Sequence, residues 1–219
     1  MYLIKENTNN IKSKKRFYED KHLKQLTKLT LKYSNNIHIL NYIKNMLYYN
    51  NSDKYDESFS KITKALPNNY KEVMQINDLF KTWQPTNKYN MGELRGNFLE
   101  ILYSKVLERK YSTNKIHKES NIIIEDYHSH TWDFIVELEK ILKCYECKFS
   151  PSALQRKHIN QMIGLYNKLD TSRPILVSFT NKTKIIDCIK LLRENTNPDK
   201  YHQNITHIQI ISIENITLT

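Results

Sequence analysis

Two short runs constrain this chain more than any other feature: Thr131-Trp132-Asp133-Phe134-Ile135-Val136 and Leu142-Lys143-Cys144-Tyr145-Glu146-Cys147-Lys148-Phe149. Each reads as a buried β-strand, and each carries a carboxylate. An acidic side chain inside an apolar strand is costly unless something uses its charge, and a metal ion is a common user. Period-two geometry puts Glu146 and Lys148 on one face of their strand, and a hairpin would bring Asp133 alongside. Two carboxylates and an ammonium converging at a sheet edge suit metal-assisted cleavage of a phosphodiester.

The rest of the chain supplies the frame. Apolar residues recur at helical spacing from Arg16 to about Tyr49, with Ser34-Asn35-Asn36 as the break between two helices. A short helix is expected to end at Pro67, and another to span Tyr70 to Trp83 before Gln84-Pro85. Residues 1–15 are polar and basic and read as a frayed end. Residues 1–90 thus read as a basic, all-helical N-terminal region. Residues 91–219 read as an α/β domain: an amphipathic helix over Met91–Lys110, strands near 116–125, 131–138 and 142–149, and a helix opened by Pro151 with Ser150 as its cap. A strand at 174–179, a helix at 182–193 and a last strand at 205–213 follow. That order predicts a mixed β-sheet flanked by helices.

Charge narrows the partners. The net charge is +11, and it is uneven: residues 1–90 hold 16 Lys/Arg against 8 Asp/Glu, and residues 91–219 hold 18 against 15. Such an excess favours nucleic acid. Only three glycines occur, Gly92, Gly96 and Gly164, too few and too scattered for a P-loop or a dinucleotide-binding turn. Three cysteines fit a reducing compartment, and no apolar run is long enough to span a bilayer, so a cytoplasmic protein without membrane contact is expected. Cys144-x-x-Cys147 lacks a second pair to complete a zinc site. His128-Ser129-His130 reads as a polar turn.

The ordered set of Gly96-x-x-x-Glu100 on a helix, Asp133 on a strand and Glu146-Cys147-Lys148 on the next resembles the PD-(D/E)XK nuclease superfamily, the fold of many restriction endonucleases. The resemblance covers roughly residues 91–180. Trp132 stands where the family often has proline. Glu19-Asp20-Lys21 and Glu108-Arg109-Lys110 also match E-x-K, but both fall in expected helices, where residues two apart do not share a face.

The resemblance implies a restriction-endonuclease-like core. Asp133, Glu146, the Cys147 carbonyl and Glu100 would hold Mg²⁺ or Mn²⁺, and Lys148 would act on the attacking water. Glu93 is a rival for the place of Glu100. On the helix after Pro151, Gln161 is the candidate polar residue facing the site, and Arg156 and Lys157 are candidate phosphate contacts. The function expected is hydrolysis of DNA in restriction, phage defence or mobile-element processing. RNA cleavage on the same fold and a non-catalytic nucleic-acid adaptor are the alternatives. A homodimer, or a partner subunit docked through the N-terminal helices, is compatible with this reading.

Overall fold

Alternation of apolar and polar residues builds strands that pair over long distances here. The computed structural model describes residues 2–49, 53–193 and 205–216. Seven strands form one mixed sheet: β1 (Leu3–Glu6), β2 (Ile116–Ile124), β3 (Tyr127–His128), β4 (Trp132–Leu138), β5 (Ile141–Cys147), β6 (Ser172–Val177) and β7 (Gln209–Ile211). Their order is β1-β2-β4-β5-β6-β7, with β3 paired to β2. The pairs from β1 to β5 are antiparallel, whereas β5, β6 and β7 run parallel. Parallel neighbours need crossovers, supplied by α7 (Arg156–Lys168) and by a connection containing α8 (Lys182–Arg193). Ile135, Cys144 and Leu176 form a core with Ile159 and Met162 of α7 and Ile185 of α8.

The other helices are α1 (Thr8–Glu19), α2 (Lys21–Lys32), α3 (Ile37–Tyr48), α4 (Asp53–Ala65), α5 (Tyr70–Trp83) and α6 (Met91–Lys110). The chain divides into two units, Lys15–Leu102 and the sheet unit of residues 1–14 with 103–219. The chain passes between the units inside α1 and inside α6. Within the helical unit, Leu26, Ile43, Tyr55, Ile76, Phe80 and Trp83 are fully buried. Asp20 caps α2 by accepting the His22 and Leu23 N–H groups, both at 2.8 Å. Gln84 ends α5 in the left-handed region (φ 46°), and Pro85 blocks continuation.

Three local expectations are corrected. Residues 1–15 are not a frayed end: β1 pairs Leu3 with Ile123 through Glu6 with Ser120, and α1 follows. Ile4 is the one half-buried residue of its strand, packed on the core, so the pairing that orders it left only a faint hydrophobic signature. The helix at Pro151 is interrupted. A single 3₁₀ turn (Pro151–Ala153) precedes buried, extended Leu154, and α7 starts only at Arg156 behind Gln155. Ser150 pairs its hydroxyl with Ser152 instead of capping the helix. Finally, α6 is not amphipathic, because Phe98, Leu99, Ile101, Leu102 and Tyr103 are all buried and point around the whole helix.

The end of α6 in the sheet unit carries a testable ion-pair cluster. Glu108 accepts from Ser104 (2.9 Å), Lys105 (2.6 Å) and Lys118 of β2 (3.1 Å). Burial pushes its carboxyl up, but the two lysines and Ser104 outweigh that and hold it at about 2. A depressed carboxylate stabilises the fold above its ordinary value of 4.5 and loses that contribution as pH falls towards 2. Glu108→Gln should therefore lower stability at pH 7 by about 1 kcal/mol. Thermal melts should show the gap to wild type closing below pH 4.5, and a gap that persisted at pH 2 would rule this account out.

Candidate active site

The strand register assembles three carboxylates in a row. Lys118 pairs with Phe134 and Ser120 with Trp132, so Glu119 of β2 falls opposite Asp133 of β4. Phe134 pairs with Tyr145, and one residue further sets Asp133 against Glu146 of β5. Like charges directly opposite each other weaken a sheet, so this row needs cations. Carboxylate oxygens of Glu119 and Asp133 lie within 4.8 Å of one another.

Each carboxylate has named partners. Glu146 is buried, 5% exposed, between the Lys148 ammonium and His130, whose Nε2 lies 3.2 Å from Oε2. Burial pushes the Glu146 carboxyl up, but His130 and Lys148 more than offset it and hold it at about 2. Burial works against the Lys148 charge, yet Glu146 and Asp133 raise its pKa overall. Asp133 Oδ2 accepts the Cys147 N–H at 2.7 Å, which fixes the carboxylate to the end of β5. Its Oδ1 lies 3.6 Å from the Lys14 ammonium, which also pairs with Glu119 at 2.6 Å. Glu119 itself has φ 47°, a left-handed conformation that costs a non-glycine residue and persists only where surroundings impose it. Its carbonyl accepts the Asn7 N–H at 2.7 Å.

Two histidines add to the electrostatics around the Glu146–Lys148 pair, His130 through Glu146 and His158 through the Lys148 charge. The His130 ring packs on Trp132 with centroids 4.2 Å apart. His158, in the first turn of α7, is pushed down to about 4 by burial and by the Lys148 charge, so it is neutral at pH 7. Its Nδ1 accepts the Gln155 N–H at 3.0 Å.

The residues expected from the sequence are placed as follows. Asp133, Glu146, Cys147 and Lys148 come together in the sheet unit. Glu100 is buried on α6 in the stretch that belongs to the helical unit. Glu93, its rival, is exposed and paired with Arg16 at 2.6 Å. Gln161 is half-buried on α7, and no hydrogen bond joins it to Glu146 or Lys148 among the described contacts. His158, three residues earlier, feels the Lys148 charge. Arg156 Nε donates to the Leu192 carbonyl at 3.0 Å, which ties α7 to α8, while Lys157 is exposed. The buried Cys144 thiol is raised and stays protonated.

Glu119, His130, His158 and Lys14 were missed as site residues. A charged residue beside Ser120 in the first half of a strand was the available signal for Glu119, and proximity to Asp133 was the signal for His130. Nothing local marks Lys14, one of three lysines between residues 12 and 15.

The donor set suits a hard cation. Octahedral Mg²⁺ with bonds of about 2.1 Å places its ligand oxygens roughly 3–4 Å apart, and the Glu119–Asp133 spacing needs little adjustment to match. No helix among the described residues is long and apolar enough to cross a membrane.

No family model and no curated protein matches this chain. Among solved structures, the crystal structure of protein VC1899 from Vibrio cholerae is similar with a TM-score of 0.49 and 14% sequence identity. The match covers 99% of this chain, which spans 56% of that one.

Proposed function

We propose that this protein is a metal-dependent nuclease that hydrolyses phosphodiester bonds, on a core of the restriction-endonuclease type. The observation that carries the reading is the buried Glu146–Lys148 pair, placed in register beside Asp133 and charged on both sides. Asp133 and Glu146 would hold Mg²⁺ or Mn²⁺, with Glu119 and the Cys147 carbonyl as further oxygen donors. When bound, the ion supplies Lewis-acid charge and lowers the pKa of its water.

The protein's own groups do the rest. Lys148, kept cationic by two carboxylates, orients the attacking water and offsets charge on the phosphate oxygens. The Cys147 N–H holds Asp133 in one rotamer, and His130 does the same for Glu146, as outer partners of metal ligands generally do. The net charge of +11 supports a polyanionic substrate, and the family resemblance puts DNA ahead of RNA. One observation favours a second reading, a non-catalytic nucleic-acid adaptor: Lys14 and Lys148 already pair with the three carboxylates without any ion.

The deciding experiment incubates the protein with plasmid, linear and single-stranded DNA and with RNA, in Mg²⁺, Mn²⁺ or EDTA, beside Asp133→Asn. Metal-dependent cleavage lost in Asp133→Asn is expected and names the substrate class. Cleavage that is equal in EDTA, or equal in the variant, would sink the reading. Nucleic-acid binding without cleavage would favour the adaptor.

A further inference from the structure

The start of α1 reaches the acidic row in a way that catalysis alone does not require. Asn7, Asn10 and Lys14 recur at helical spacing, and all three engage Glu119 or its neighbours. Asn7 N–H donates to the Glu119 carbonyl at 2.7 Å, Asn10 Nδ2 to Oε2 at 3.2 Å, and Lys14 Nζ to Oε1 at 2.6 Å. Asn7 also donates through its side chain to Thr131 at 3.3 Å. The grip is wholly polar. No side chain from residue 8 to residue 14 is buried, and Ile11, the apolar one, is 39% exposed. Segments held by few apolar contacts open at low cost.

Charge makes that contact competitive. The Lys14 ammonium lies against Glu119 and 3.6 Å from Asp133 Oδ1, among the oxygens offered to a divalent ion. Two cations cannot share that space without mutual repulsion in a site of lowered dielectric.

We propose that Lys14 is a built-in competitor for the divalent ion, so that metal binding displaces its ammonium and releases the first two turns of α1. The proposal rests on the metal-site reading above and adds a regulatory link to it: occupancy of the site is coupled to the state of the N-terminal segment. The affinity of the wild type for the ion is set by the cost of moving Lys14.

The test is calorimetric titration of Mn²⁺ into chelator-treated full-length wild type, Lys14→Met and Glu146→Ala. Lys14→Met should bind Mn²⁺ at least about tenfold more tightly than wild type, since one unit of positive charge leaves the ligand shell. Equal or weaker binding in a folded Lys14→Met, with binding lost in Glu146→Ala, would overturn the competitor and leave the metal site standing. No binding to any of the three would overturn both.

A second measurement needs no variant and decides the matter if Lys14→Met fails to fold. Amide hydrogen exchange in residues 8–14 of the wild type should speed up at least about threefold on saturation with Mn²⁺, as expected for a locally opened segment. Unchanged or slower exchange in a protein that binds Mn²⁺ would refute displacement.

Discussion

Lys148→Ala is expected to lower the cleavage rate by about 10²- to 10⁴-fold, the range typical for a positioned proton-transfer group. Mn²⁺ affinity in the same variant should hold or rise, because an ammonium is removed from beside two carboxylates. That split separates Lys148 from the ligands: Glu146→Ala should lose both cleavage and metal binding. Lys148→Arg should not restore the rate, since a planar guanidinium cannot reproduce a compact ammonium between Glu146 and Asp133. Removing Lys148 also leaves Glu146 with His130 alone in a buried position. Breaking such a pair costs roughly 3–5 kcal/mol, so the assays belong at low temperature with folding verified by circular dichroism. A folded Lys148→Ala variant that cleaved at the wild-type rate would remove the lysine from the mechanism.

Trp132→Ala should destabilise the protein by about 3–5 kcal/mol, the cost of emptying a large aromatic site in a packed core. Its ring is fully buried, packs at a tilt against His130 and belongs to the same core cluster as residues of α7 and α8. Trp132→Phe should be far milder, at about 1 kcal/mol. The indole N–H is buried without a hydrogen-bond partner among the described residues, so its removal sacrifices no bond and relieves a desolvated donor. Urea denaturation of the two variants checks both figures. Equal losses would show that the N–H, and not the ring volume, matters at this position.

Much of the architecture was legible because the decisive signals were local. Pro85 after Trp83 and the polar break before Met91 delimit α5 and α6, whose bounds match the expectation. The apolar runs around Asp133 and Glu146 gave β4 and β5 within a residue or two. Asp133, Glu146 and Lys148 stood out because charge inside an apolar strand is conspicuous. Glu119 did not, since its strand is polar there and the register that sets it against Asp133 depends on pairing with β4. Pro151 after Ser150 reads as the start of a helix carrying Gln161. The helix starts five residues later, at Arg156, and His158 in its first turn feels the Lys148 charge. Lys14 and β1 were invisible for one shared reason: their partners lie more than a hundred positions away, and neither carries an apolar pattern.

The pairing of Leu3 with Ile123 has a kinetic consequence. Between these partners the chain must first traverse the whole of residues 15–102, so the β1–β2 contact closes one of the longest loops in the fold. Loop-closure entropy grows with separation, and non-local strand pairs form late for that reason. Until β1 arrives, β2 offers Ile122-Ile123-Ile124 along an open edge, the kind of strand that pairs with other chains. The slowest-forming part of the sheet is therefore also the part that shields it from self-association, and refolding yield should fall as protein concentration rises.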